Sequence, residues 1–436
     1  MKIFKRILIL VILLLIGGFW YARPLLKVGA AYAAKMGCSC HYLQGRSLDA
    51  VHDQDLVFSV MPLFQLSHVE GEQAVKSSFF GLVAGQANYI KGRGCILSGE
   101  DNSRYPSPKE KQQFTPQLLP QFDTLPNGIQ ISLLKAASDA AFEPMPDGET
   151  RAIAILYDGR LVYEDYADGF DKDMPLLGWS MSKSIVNAVV GIMVKNGQLR
   201  TDQDHLFPEW ENDERAKITL NNLLRMNSGL EWNEAYGNVS DATKMLFFNA
   251  SMGDYALNKP LEKEPDTHWV YSSGTTNMIS KLIRQTIGND EQYYALFTDS
   301  LFAKVGMQSA IIEPDGAGNL VGSSFGWATA RDWAKFGQLY LQDGVWNGER
   351  IFPEGWVSYS REKANGSDGV YGAQIWLKRS NIPNAPDDIF TFAGFQDQRV
   401  FVIPSRRCVI VRLGLNTGED FNFDRLITDV LKGLPL

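Results

Sequence analysis

The chain has 436 residues, of which 45% are apolar and 21% charged; that is the make-up of a packed globular protein, and it excludes a disordered chain. The formal net charge is −8 and the isoelectric point is near 5.3. An acidic chain is a poor match for polyphosphate backbones, which excludes nucleic acid as a partner.

Lys2, Lys5 and Arg6 precede an apolar run from Ile7 to Trp20 that only Gly17 and Gly18 interrupt. A basic flank followed by such a run is the pattern of an export signal. No A-x-A cleavage site follows directly, so the pattern predicts an uncleaved membrane helix over residues 1–36. Removal at the Ala30–Ala34 cluster and a buried core helix are the alternatives. With the basic flank kept inside, everything downstream faces outside the cytoplasm, in a bacterium the periplasm.

Residues 37–98 alternate short apolar runs with polar turns and predict a small module of short elements. The four cysteines are Cys38, Cys40, Cys95 and Cys408. Outside the cytoplasm a disulfide is permitted, and Cys40 with Cys95 is the expected pair, each in a strand-like stretch of this module. Cys38-Ser39-Cys40 is too tight for a zinc knuckle and no His pair stands at ligand spacing, so no metal is expected. Residues 99–129, rich in Pro, Lys, Glu and Gln, read as a linker.

The main body spans residues 130–436. Thr150–Tyr157 and Leu161–Tyr166 flank Asp158-Gly159, a strong hairpin signal. Ile185, Val189, Ile192 and Met193 have helical spacing over 181–196. Residues 198–385 read mostly as helix and loop. Arg399–Ile403 and Cys408–Leu413 flank Pro404–Arg407 as a second hairpin, and an amphipathic helix closes the chain near 424–431. Strands at both ends with helices between them predict an α+β fold: one antiparallel sheet built from the two ends, flanking helices, and an inserted helical subdomain.

Ser180-Met181-Ser182-Lys183 lies at the mouth of the 181–196 helix. Residues three apart share a helix face, so Lys183 can place its amine beside the Ser180 hydroxyl and act on its proton. The helix start also offers N–H groups to a developing oxyanion. Ser-x-x-Lys alone is a weak signal, and it recurs at Ser360–Lys363, a charged stretch that reads as solvated surface. Tyr271-Ser272-Ser273 precedes a helix-like stretch from Asn277. A tyrosine beside an ammonium can serve as general base and then acid, and Ser273 can hold Lys183 in place; the plainer reading is a structural loop tyrosine.

Together these residues resemble the serine β-lactamase-like hydrolases: class C β-lactamases, DD-peptidases, carboxylesterases and 6-aminohexanoate-dimer hydrolases, the last being the nearest branch. Ile218–Leu230, Ala330–Gly337 and Gly344–Ile351 carry the same resemblance, in order, over about residues 130–436. Ser-x-x-Lys is a known motif of related enzymes. The resemblance implies Ser180 as the acylated nucleophile, Lys183 as its partner and Tyr271 as the proton shuttle. It implies an oxyanion hole from the backbone N–H groups of Ser180 and Phe395, with no cofactor and no metal.

Where lactamases and DD-peptidases carry Lys-Thr-Gly or His-x-Gly, this chain has Phe395-Gln396-Asp397, with no cation for a substrate carboxylate. The departure points away from β-lactams and toward small linear amide or ester substrates. Glu234 has two readings, a contact for a substrate amine as in the dimer hydrolases or a solvated loop acid; Trp376 either lines the pocket or packs in the core. A Ser-His-Asp triad is disfavoured. The only histidines are His41, His52, His68, His205 and His268, and no G-x-S-x-G elbow surrounds Ser180. The rival class is a sensor of the same fold that captures a peptide or cell-wall fragment without turnover.

Overall fold

The computed structural model describes residues 2–97, 119–122, 124–418 and 421–435. Most of the expected linker, residues 99–129, therefore lies outside the described residues. The chain divides into two compact units: Met1–Asn102 with Asn233–Ala250, and Ser103–Trp232 with Ser251–Leu436.

The first unit is built on one long helix, α1 (Lys2–Gln44), followed by α2 (Leu48–Asp55). Then comes an antiparallel sheet of β1 (Phe64–His68), β2 (Ala74–Phe79), β3 (Val83–Ile90) and β4 (Gly94–Leu97), ordered as in the chain. The N-terminal half of α1 is exposed and apolar from Ile3 to Leu14, and one helix here is long and apolar enough to cross a membrane. The expected boundary at 36/37 falls inside α1. From Leu26 the helix sinks under the sheet, with Ala30, Ala33, Ala34 and Cys38 fully buried. Small residues permit that approach: a Cβ on Gly85 would stand 2.5 Å from the Ala30 carbonyl oxygen, and Ser77 Oγ donates to the same oxygen at 2.5 Å.

The disulfide joins Cys38 to Cys95, which corrects the expected Cys40–Cys95 pair. Both Cys38 and Cys40 lie on α1 rather than on a strand. At about 100° per residue, two positions apart on a helix point nearly opposite ways. Only Cys38 faces β4, with Cα atoms 6.0 Å apart, while Cys40 is a buried thiol.

In the second unit, α3 (Ile131–Ala141) leads to β5 (Gly148–Tyr157) and β6 (Arg160–Tyr166). Asp158 and Gly159 both take positive φ, 52° and 75°, as a two-residue turn with right-handed strand twist requires. Next come β7 (Leu176–Leu177), α4 (Ser182–Lys195) and α5 (Leu220–Arg225). The chain then visits the first unit as α6 (Asp241–Phe248). It returns through α7 (Met252–Leu257), α8 (Ser273–Ile287) and α9 (Asp290–Phe297). Then follow β8 (Ile311–Ile312), β9 (Gly326–Ala328), α10 (Ala330–Leu341), the short pair β10 (Val345–Trp346) and β11 (Glu349–Arg350), and α11 (Trp356–Arg361). The chain ends with β12 (Trp376–Leu377), β13 (Phe390–Gly394), β14 (Gln398–Ile403), β15 (Cys408–Asn416) and α12 (Phe423–Lys432).

The main sheet has the order β12-β13-β14-β15-β5-β6 and every pairing is antiparallel. The two ends of the catalytic region meet where β15 pairs with β5, as expected from the sequence. Alternate residues serve opposite faces. Ala152, Ala154, Leu156, Val400, Val402, Val409 and Val411 pack in the cluster that holds α4 and α10. Ile153, Ile155, Phe401, Ile403 and Ile410 pack in the cluster that holds α3 and α12. Burial on both faces fixes the register, because a one-residue slip would exchange the two sets.

Candidate active site

Ser180 sits in a tight passage from strand to helix. β7 pairs with β9, and Gly178 N donates to the Gly326 carbonyl at 2.8 Å. A turn of 3-10 helix, Trp179–Met181, then feeds α4. Trp179 takes φ 47°, a left-handed conformation costly for a non-glycine residue. Ser182 secures the turn: its Oγ donates to the Trp179 carbonyl at 2.6 Å and accepts from Gly326 N at 2.8 Å.

Lys183, one turn on, is 1% exposed. Its Nζ donates to Ser180 Oγ at 3.0 Å, to Ser273 Oγ at 2.9 Å and to the Ser323 carbonyl at 2.9 Å. A buried Lys side chain needs such a set of acceptors for its N–H groups. Ser273 is the first residue of α8, placed by Ser272, whose Oγ accepts from Thr275 N at 3.1 Å as the helix cap. Ser323 is fixed in turn by its N–H donating to Asn277 Oδ1 at 3.2 Å.

Tyr271 stands immediately before that cap and is half-buried. Lys183 Nζ lies 5.0 Å from its ring centroid, within cation–π range. Trp376, also half-buried, stacks at a tilt on Tyr271 with centroids 5.1 Å apart. Trp269 and Tyr371 complete an aromatic group around it, at 6.3 and 5.8 Å from the Tyr271 ring. Trp376 thus packs against Tyr271. A narrow pocket opens beside this segment, lined by Met226, Trp232, His268, Val270, Ser272 and Thr275; neither Ser180 nor Lys183 lines it.

The end of β13 approaches the Ser180 turn backbone to backbone. A Cβ on Gly394 would stand 2.1 Å from the Gly178 carbonyl oxygen, so only glycine fits. Phe395 follows, half-buried, with its ring edge-on to Trp179 at 5.6 Å. Gln396 and Asp397 both take positive φ, 60° and 64°. This strained turn is tied down on several sides. Trp179 Nε1 donates to Gln396 Oε1 at 3.0 Å, and Gln398 Nε2 to the Gln396 carbonyl at 3.0 Å. Arg412 Nη1 donates to the Asp397 carbonyl at 3.1 Å, and Asn416 Nδ2 to the Asp397 carboxylate at 2.6 Å. Arg412 is fully buried, and desolvation pulls its pKa down to about 9, partly opposed by the Asp397 carboxylate.

Ser180, Lys183, Tyr271, Ser273 and Trp376 therefore gather in one place, and the Gly394–Phe395 turn touches the residues leading into Ser180. Glu234 belongs to the segment that clusters with the first unit, where it accepts Tyr236 Oη at 2.6 Å. Ser360, expected on solvated surface, is fully buried. It lies in the last turn of α11 and exchanges hydrogen bonds with the Asn187 side chain at 3.1 and 3.3 Å, while Lys363 is exposed. The charged residues that follow hid the apolar face of that short helix. The sequence alone assigned no role to Ser182, Ser323 or Gln396. Glycines at 178, 326 and 394 were the available signal, since each marks a close backbone approach.

Residues 139–429 match the family profile described as Beta-lactamase. A 6-aminohexanoate-dimer hydrolase from Paenarthrobacter ureafaciens is 26% identical over 318 residues, covering 63% of this chain and 76% of that one. A solved structure assigned as a 6-aminohexanoate-dimer hydrolase from Bacillus anthracis superposes with a TM-score of 0.57 at 21% identity, over 68% of this chain and 80% of that chain. A family VIII carboxylesterase superposes with a TM-score of 0.56 at 14% identity, over 72% and 99%. The two structural likenesses speak for the fold alone. The family match spans well over half the chain and coincides with the sheet, α4, α8 and the Gly394 turn: this chain belongs to the Beta-lactamase family.

Proposed function

We propose that this protein is a membrane-held serine hydrolase that cleaves amide or ester bonds of small linear substrates through an acyl-enzyme. Ser180 is the nucleophile, Lys183 and Tyr271 are its acid–base pair, and the backbone N–H groups of Ser180 and Phe395 receive the oxyanion. The observation that carries this reading is the 3.0 Å hydrogen bond between Lys183 Nζ and Ser180 Oγ, inside a buried cluster that also holds Ser273. A buried amine beside a hydroxyl, at the start of a helix, is an arrangement that activates a serine. Tyr271 supports it, because its ring stands 5.0 Å from Lys183 Nζ, in the same group of side chains.

The strand before the oxyanion turn ends Phe390-Thr391-Phe392-Ala393-Gly394 and offers no cation to a carboxylate. That favours a neutral linear acyl group over a β-lactam, in line with a relative named for a linear amide dimer. The exposed apolar half of α1, with its basic start, supports a membrane anchor with the catalytic unit outside the cytoplasm.

The test uses the full chain in detergent micelles with an activated fluorophosphonate. The wild type and Ser360→Ala label equally, whereas Ser180→Ala does not label. Full labelling of Ser180→Ala would sink the assignment. A panel of short esters and amides, followed by intact mass, then separates turnover from a trapped acyl-enzyme.

A further inference from the structure

We propose that the β2–β3 hairpin tip, Phe79–Val83, dips into the membrane surface beside α1 and forms a second, non-helical contact with the bilayer. This rests on the anchor reading above and goes beyond it. The relevant surface belongs wholly to the first unit.

Exposed apolar side chains gather at one end of that unit's sheet. Phe80 and Leu82, at the β2–β3 tip, are 71% and 64% exposed. β1 pairs Phe64 with Phe79, so the segment entering β1 arrives at the same end. It carries Val57, Val60 and Leu63, all exposed. The opposite end of the sheet is mostly polar: its turns hold half-buried Val69 with Glu70, Gly71, Glu72 and Gln73, then Lys91, Gly92 and the buried Arg93. A soluble domain has no reason to sort its turns this way, and an exposed apolar patch rimmed by polar surface marks a contact.

The contacts of α1 show which end faces the bilayer. Tyr42 stacks on Tyr89 near the polar turns, with centroids 4.5 Å apart. Cys38 meets Cys95, Gly37 meets Leu66 and Val75, and Ala30 meets Ser77 and Gly85. Going back along α1 therefore means going toward the tip. Phe80 lies three residues past Ser77, about 10 Å along the strand. That places it roughly one to two helical turns before Ala30, level with Arg23–Lys27.

The same level is where a bilayer would end. Ile3 to Trp20 covers about 27 Å at ~1.5 Å per residue, close to the ~30 Å of a hydrocarbon core. Trp20 closes that stretch and Tyr21 follows, 63% and 91% exposed, with Arg23 lying 5.2 Å over the Trp20 ring. Aromatic and basic residues at that position form an interfacial belt. Phe80 and Leu82 thus continue around the sheet a belt that begins on the helix, and the occupant of this apolar patch is the lipid interface.

The experiment places an environment-sensitive fluorophore on a single introduced cysteine in the full chain, reconstituted in phosphatidylcholine–phosphatidylglycerol vesicles. The positions are Leu82→Cys, Leu10→Cys within the span, and Glu70→Cys at the polar end. Cys40 and Cys408 are buried, and labelling of the unmutated chain gives the background. Nitroxide lipids supply the depth reading. The expected result is loss of fluorescence at 10 and 82 but not at 70, with position 82 quenched more by a shallow nitroxide than by one at the bilayer centre. Quenching at 10 with position 82 as dark to lipid as position 70 overturns the tip contact and leaves the anchor standing. No quenching at 10 overturns the anchor and this inference with it. Equal quenching at 70 and 82 overturns the orientation.

Discussion

Replacing Cys38 and Cys40 in turn by alanine separates the two pairings. The Cys38–Cys95 bond closes a loop of 57 residues. Chain entropy then gives the crosslink a stabilising worth of about 4 kcal/mol at 25 °C. Cys40 is equally buried but lies outside the bond, so its truncation removes only a small packed side chain, about 1 kcal/mol. Both truncations lose similar packing, so Cys38→Ala should destabilise the first unit by roughly 4 kcal/mol more than Cys40→Ala, a factor of about a thousand in the unfolding equilibrium. The assay is pulse proteolysis across a urea series on the full chain in micelles, scored on fragments of residues 26–97. A non-reducing peptide map records which cysteines are joined. If Cys40→Ala proves the more damaging change, or if Cys38→Ala keeps a crosslink to Cys95 through Cys40, the assignment and the helix-face argument behind it both fail.

Two further outcomes follow from the second unit. Gly394→Ala sets a methyl 2.1 Å from the Gly178 carbonyl oxygen, and backbone on either side must shift; a displacement near 1 Å at the Ser180 turn should slow fluorophosphonate labelling by about a hundredfold, with the thermal midpoint recording that the fold persists, and an unchanged rate refutes the close approach. Asp315 is nearly fully buried and desolvation raises its pKa from 3.8 to about 6, against hydrogen bonds from the backbone of Met252 and Asn319. A raised carboxyl pKa means the native state binds more protons than the unfolded chain between those values, so stability falls as pH rises through that window, by roughly 3 kcal/mol. In Asp315→Asn this slope should vanish, read as the wild-type minus variant difference in unfolding midpoint at pH 4 and pH 7; a difference that stays constant across the window contradicts it.

What the sequence disclosed depended on whether a local pattern had one physical solution. Asp158-Gly159 between alternating apolar runs admits little but a hairpin, and Pro404–Arg407 behaves the same way. Lys183 falls beside Ser180 because residues three apart share a helix face. The long reach of α1 to Gln44 was hidden for the opposite reason. Residues 28–40 are mostly Ala, Gly, Cys and Ser, buried nearly all round, so no amphipathic stripe marks them as helix. The cysteine register was lost with that helix. The excursion 233–250 carries no composition break, and its membership in the first unit follows from contacts such as Tyr32 with Phe247, far apart in the chain. Ser360 was misread because Arg361, Glu362 and Lys363 obscured a buried helix face one residue earlier.

The double duty proposed for α1, as anchor and as spine, bears on any attempt to release a soluble form. The stretch that gives the first unit its spine begins at Leu26, and no loop divides it from the greasy segment upstream. Trimming at residue 37, where composition invites a cut, would extract the rod from beneath four strands, carry off the ground on which Phe64 and Ser77 rest, and strand the 241–248 helix without its companion Tyr32. The knife belongs in the few residues ahead of Leu26, where solvent already reaches both sides of the helix.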